Sequence, residues 1–114
     1  MANATPLLLD PQWMTEMFFS KEPAARAKSL FKDGWYKAGP SMYFNEEGEA
    51  AAEEYFDLTN NPSRQYSREK YYGRGRSLSV GDMVEVDGVL YLCASEGWVE
   101  VMDRAAAPSN WMEV

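Results

Sequence analysis

The side chains of this chain that could do chemistry are carboxylates and guanidiniums, gathered in two adjoining blocks. Glu46, Glu49, Glu53 and Asp57 recur at the spacing that lines one face of a helix, and residues 45–61 hold six acids and no base. A row of carboxylates on such a face can imitate a row of phosphates and fill a nucleic-acid-binding groove on another protein. The next block, residues 62–77, holds five bases and one acid. Its Arg64, Arg68, Lys70, Arg74 and Arg76 are interleaved with Tyr66, Tyr71 and Tyr72, and guanidinium planes beside aromatic faces suit single-stranded nucleic acid. Each block also has a plainer reading. The arginines can pair with the acidic helix before them, with the tyrosines at the edge of a core, and the acidic row can be solvated surface.

Catalysis finds little support. The chain has no histidine, the usual general base and metal ligand, and its one cysteine excludes an internal disulfide and a thiolate cluster. Cys93 falls in an apolar run, where a thiol is an inert core filler. Carboxylate pairs such as Glu53/Glu54 and Asp82/Glu85 have no neighbour in sequence that would order a nucleophile or shift a proton. Gly73-Arg74-Gly75-Arg76 lacks the lysine and the strand-to-helix setting of a phosphate loop. The expectation is a protein that is not an enzyme and holds neither cofactor nor metal.

The formal net charge of −7 is unevenly spread. Residues 1–44 carry +1, residues 45–61 carry −6, residues 62–77 carry +4 and residues 78–114 carry −6. The basic island therefore lies between acidic blocks that repel a polyanion and weaken its long-range attraction. No basic residue precedes the short Pro6–Leu9 run, and Asp10-Pro11 ends it well below the roughly 18 apolar residues of a membrane span. A cytoplasmic protein with no membrane segment is expected. With 46% hydrophobic residues, 14% aromatic and a length of 114, the chain has material for a single core over residues 1–114.

The elements that must position these blocks are clearest at the C-terminal end. Met83–Val86 and Val89–Ala94 flank Asp87-Gly88, a pair suited to the two positive φ angles of a type I′ turn, so a hairpin forms there. Pairing Val86 with Val89 and Val84 with Tyr91 puts Val84, Val86, Val89, Tyr91 and Cys93 on one face. Met83, Leu90, Leu92 and Ala94 fall on the other, so the middle strand is apolar on both faces and must be covered twice. Trp98–Val101 adds a third strand. A turn at Glu96-Gly97 would set Val99 and Val101 beside Leu92, whereas a Ser95–Gly97 loop with a bulge would set Trp98 there. Trp111–Val114 can return as an edge strand after a loop over 104–110.

Upstream, Asp10-Pro11 starts a helix over 11–19, with Trp13/Met17 and Met14/Phe18 on one face. Ser20 caps a second helix ending near Lys32, with Ala24, Ala27, Leu30 and Phe31 buried and Gly34 as its left-handed stop. Trp35–Phe44 is a broken strand or a packed loop, with Ser41–Phe44 extended. Asn45 caps the acidic helix, which runs to about Leu58 with Ala51, Ala52, Tyr55, Phe56 and Leu58 covered. Residues 63–77 read as a polar connection into the meander.

Residues 50–101 resemble a known family. Glu54-Tyr55-Phe56-Asp57-Leu58-Thr59-Asn60-Asn61-Pro62, then Tyr72-Gly73-Arg74-Gly75-Arg76-Ser77-Leu78-Ser79-Val80-Gly81-Asp82, then a hairpin ending in Gly97-Trp98, is similar to the small YodL-like domains of plasmid and phage proteins. Those domains bring no settled activity. The resemblance implies an origin on a mobile element.

The expected fold is α+β: N-terminal and central helices packed on a C-terminal antiparallel meander of three or four strands, or that meander curled into a small barrel. The expected function is to bind and block a host protein or complex that handles nucleic acid, in a host defence system, with Glu46, Glu49, Glu53 and Asp57 imitating phosphates. The alternative is direct binding of single-stranded nucleic acid through Arg64, Tyr66, Arg68, Tyr71, Tyr72, Arg74 and Arg76. The oligomeric state is open.

Overall fold

A computed structural model describes residues 1–103. It contains an open, antiparallel six-stranded sheet with helices on both faces. The strands are β1 (Ala2–Leu9), β2 (Tyr36–Ala38), β3 (Met42–Phe44), β4 (Met83–Val86), β5 (Val89–Ala94) and β6 (Gly97–Asp103). The helices are α1 (Met14–Phe19), α2 (Pro23–Lys32), α3 (Gly48–Asn60) and α4 (Gln65–Tyr71). The α+β class expected from the pattern is the class found, but the sheet has more strands than the C-terminal meander and does not close into a barrel.

The chain also begins with a strand rather than a helix. β1 pairs with β4 along one edge, and its other edge carries β3 opposite Ala2–Ala4 and β2 opposite Leu7–Leu9. Pro6 conceals this strand in the sequence, because proline cannot donate to a ladder. The structure places it at the gap between β2 and β3. Pro6 O accepts from Gly39 N at 2.9 Å, and the N and O of an extended residue point the same way, so the missing N–H faces the interrupted edge. Gly39 must come close for this: a Cβ there would lie 2.9 Å from Pro6 Cγ.

The β4–β5 hairpin has the register read from its turn, Val86 opposite Val89 and Val84 opposite Tyr91. Asp87 has φ 47° and Gly88 φ 89°, the two left-handed residues of a type I′ turn. The β4–β5 hairpin is covered on both faces, β4 at Met83, Val84 and Val86 and β5 chiefly on its Leu90/Leu92 face. Met83, Leu90 and Leu92 pack with Leu7, Leu9, Met17, Leu30 and Phe31 under α1 and α2. Val84 and Val86 pack with Ala2, Ala4, Ala51, Ala52, Tyr55, Tyr72 and Leu78 under α3. The β5–β6 loop starts one residue before the Glu96-Gly97 turn read from the sequence, but it sets Val99 beside Leu92 as that reading did. It is Ser95-Glu96, with Ala94 opposite Gly97 and Leu92 opposite Val99, and a bulge falls between Leu90 and Tyr91. The strand expected at Trp111–Val114 and the loop at 104–110 lie outside the described residues.

Several helix starts differ from expectation. α2 begins at Pro23, and the Ser20 hydroxyl accepts instead from Glu22 N, shaping the turn before the helix. Its end is as read: Gly34 has φ 88°, Gly34 N donates to Phe31 O and Trp35 N to Leu30 O, the paired bonds of a Schellman stop. α3 begins at Gly48 rather than after Asn45, because Gly48 at φ 56° turns the chain before the helix can propagate. Glu46 therefore precedes the helix. α4 was expected as plain connection. It carries no fully buried residue, so it leaves no apolar stripe to detect.

Candidate interaction surfaces

α3 lies across β1 and β4 with its Ala51, Ala52, Tyr55 and Leu58 buried, which turns Glu49 and Glu53 outward to solvent. The structure brings only part of the acidic row together. Asp57 accepts from Arg64 Nη1 at 3.0 Å, and the same nitrogen donates to Glu54 at 2.7 Å, so its charge is largely offset. The Arg64 pKa is raised, first by the hydrogen bond to Asp57 and further by Glu54, with burial opposing. Glu46 sits exposed in the turn ahead of the helix.

β6 supplies what the linear reading did not place. Trp98 Nε1 donates to Glu53 Oε2 at 2.6 Å, and the Trp98 ring stands edge-on to Phe56 at 6.1 Å. Tyr91 sits opposite Glu100 in the ladder, and its hydroxyl lies where a Cβ on Gly48 would be 3.4 Å away. The Tyr91 pKa is raised by burial and then by the negative charges of Glu100 and Glu49. Glu49, Glu53 and Glu100 thus share one field around Tyr91 and Trp98, drawn from a helix and a strand far apart in sequence. Glu100 was visible only as part of the general acidity of residues 78–114.

The basic island is mostly turned inward. Arg68 donates to the carbonyls of Thr59, Gly73 and Gly75 and lies over the Tyr72 ring at 5.3 Å. Arg76 meets Asp82 through both terminal nitrogens and also donates to Leu9 O. Tyr72 is buried, with its hydroxyl donating to Arg76 O. Tyr66, Lys70, Tyr71 and Arg74 remain at the surface.

Asp82 is the buried polar centre of the fold. Its carboxylate accepts from Leu9 N, Ser79 N and Arg76, tying β1 to the turn that launches β4. Arg76, read either as a partner of the acidic helix or as a contact for nucleic acid, instead meets Asp82. Cys93 is buried, and burial first, then the nearby charges of Asp82 and Glu53, push its thiol up to about 12, so the nucleophilic thiolate is scarce near neutrality. Among the described residues no three metal-ligating side chains cluster, and no helix is long and apolar enough to cross a membrane.

Two aromatic patches face solvent. Phe18 and Phe19 stand edge to face at 5.1 Å on α1, with Phe19 74% exposed, although Phe18 falls on the face read as packed. Tyr43 on β3 is 72% exposed, and with Tyr71 and Met42 it lines a groove beside α4. Within the Trp35–Phe44 aromatic segment the other rings are drawn in: Trp35 onto Trp13, Tyr36 onto Gly81 O through its hydroxyl, and Phe44 onto Tyr55. Comparison with protein-family models, curated proteins and solved structures returned no match.

Proposed function

We propose that this chain is a non-enzymatic protein-binding module that blocks a nucleic-acid-handling protein of a host cell, acting in its cytoplasm, by offering carboxylates in place of phosphates. The observation that carries this reading is the convergence of Glu49 and Glu53 from α3 with Glu100 from β6 around Trp98 and Tyr91. The indole N–H on Glu53 restrains that side chain, so less freedom is lost when a basic surface docks on it. The aromatic pair supplies an apolar anchor at the centre of the charges, the composition that carries most of the energy in protein interfaces. The resemblance to YodL-like domains of phage and plasmid proteins supports a partner in the host rather than in the element itself. Direct binding of single strands draws less support, because Arg64, Arg68, Arg76 and Tyr72 are engaged within the fold.

The experiment is capture of partners from host lysate, followed by competition. Binding should weaken with salt and fail in excess DNA or RNA. Glu49→Lys with Glu53→Lys should weaken it more than the corresponding alanine changes, because reversal adds repulsion where truncation only removes attraction. A partner that holds the double-lysine variant as tightly as the native chain refutes the phosphate-imitating role.

A further inference from the structure

We propose that the groove between the outer edge of β3 and helix α4 receives an extended peptide segment of another protein, added to the sheet as a further strand and carrying apolar side chains and a carboxylate. β3 pairs on one side only, with Ala2–Ala4 of β1, and among the described residues its Met42–Phe44 backbone has no other partner. Met42 and Phe44 turn their backbone groups toward Ala4 and Ala2, so the outer edge offers the N–H and C=O of Tyr43, a pair that an extended polypeptide matches. Nucleic acid does not.

The groove beside that edge is about 550 Å³, lined by Met42, Tyr43, Phe44 and Leu58 with Ser67 and Tyr71 of α4. A strand laid between an open edge and a helix gains main-chain bonds from the edge and side-chain pockets from the wall, the general mode of strand addition. Tyr43 and Tyr71 bring rigid, amphipathic rings that lose little freedom on contact, so they suit an anchor role. Lys70 Nζ lies 5.3 Å over the Tyr71 ring and has no carboxylate partner among the described residues. It adds positive charge at the rim, where the lining Arg64 is already held by Glu54 and Asp57, and so favours a partner carboxylate. A second copy fits poorly, since a copy's β3 is flanked by its own α4.

This site is separate from Glu49, Glu53 and Glu100, so either reading can fail alone. The probe is a random library of displayed dodecapeptides, selected on the immobilised whole chain. Selected peptides should be rich in β-branched and aromatic residues with an acid, and should lose roughly tenfold or more in affinity on Tyr71→Ala or Lys70→Glu, as hot-spot truncations do. Tyr71→Phe should retain binding, and Glu49→Lys with Glu53→Lys should leave it unchanged. Exchange of the Tyr43 amide, which points away from β1, should slow when peptide is bound, a sign that side-chain docking alone would not produce. The proposal is overturned by a selection yielding no peptide above background, by peptides indifferent to Tyr71 and Lys70, or by unchanged exchange in β3. It is equally overturned if the groove variants act only on a doubled sedimenting mass, or only on binding of a labelled single-stranded oligonucleotide.

Discussion

Arg76 reaches across the turn to Asp82 with both terminal nitrogens, at 2.6 and 2.8 Å, and with the second of them also donates to Leu9 O at 2.8 Å. One guanidinium therefore joins the end of β1 to the start of β4. The Arg76 pKa is raised, first by the hydrogen bond to Asp82.

Removing the acid should be severe. Asp82 is 1% exposed and takes donors from three places, so Asp82→Ala leaves Leu9 N, Ser79 N and the guanidinium without their acceptor. Breaking a buried pair costs about 3–5 kcal/mol, and the partial exposure of Arg76 points to the lower end. Urea unfolding of Asp82→Ala, Arg76→Ala and the double variant measures the coupling. Near-additive losses would show that the two side chains act independently.

Gly39→Ala should destabilise through contact rather than through the turn. The new methyl would stand 2.9 Å from Pro6 Cγ, on a residue fully buried beneath the β2–β3 break. Overpacking of this kind costs about 1–3 kcal/mol. A thermal midpoint equal to that of the native chain would mean that the β1 edge yields freely there.

Cys93 should resist modification until the protein unfolds. With its thiol held up to about 12 by burial, the folded form keeps its proton more tightly than an unfolded thiol near 8.5. The stability this contributes is complete below about pH 8.5 and is lost as pH rises toward 12. Iodoacetamide at pH 8 should therefore label the native chain only as fast as it opens, and denaturant should accelerate labelling. Prompt stoichiometric labelling without denaturant would contradict the burial.

Local chemistry accounts for what could be read early. A type I′ turn needs two adjacent positive φ angles, and Asp87-Gly88 between apolar runs names both the turn and the pairing of Val84 with Tyr91. Gly34 stops α2 for the same kind of reason, as a residue that adopts φ 88° without strain. The cover on the Leu90/Leu92 face of β5 also followed from its composition, while the other face is closed over Cys93 and only partly over Val89 and Tyr91. These signals act over a few residues, and so the linear chain carries them.

Only the tertiary structure decided which groups meet. β1 contains Pro6 and small polar residues, and it becomes an interior strand because β4 pairs along one edge while β3 and β2 share the other and leave their gap at the proline. Arg64, Arg68 and Arg76 have the same side chain that a nucleic-acid site would use, and their pairing with Asp57, backbone carbonyls and Asp82 depends on loops closing in space. Trp98 of β6 meets Glu53 of α3, and Glu100 faces Tyr91, because folding sets β6 beside β5 at the edge of the sheet, a relation with no spacing to reveal it. The sequence by itself determined turns, stops and the amphipathic faces, which depend on local backbone and side-chain preferences. The packing of distant segments determined which charges neutralise one another and which are left facing solvent, because that depends on distances the chain acquires only on folding.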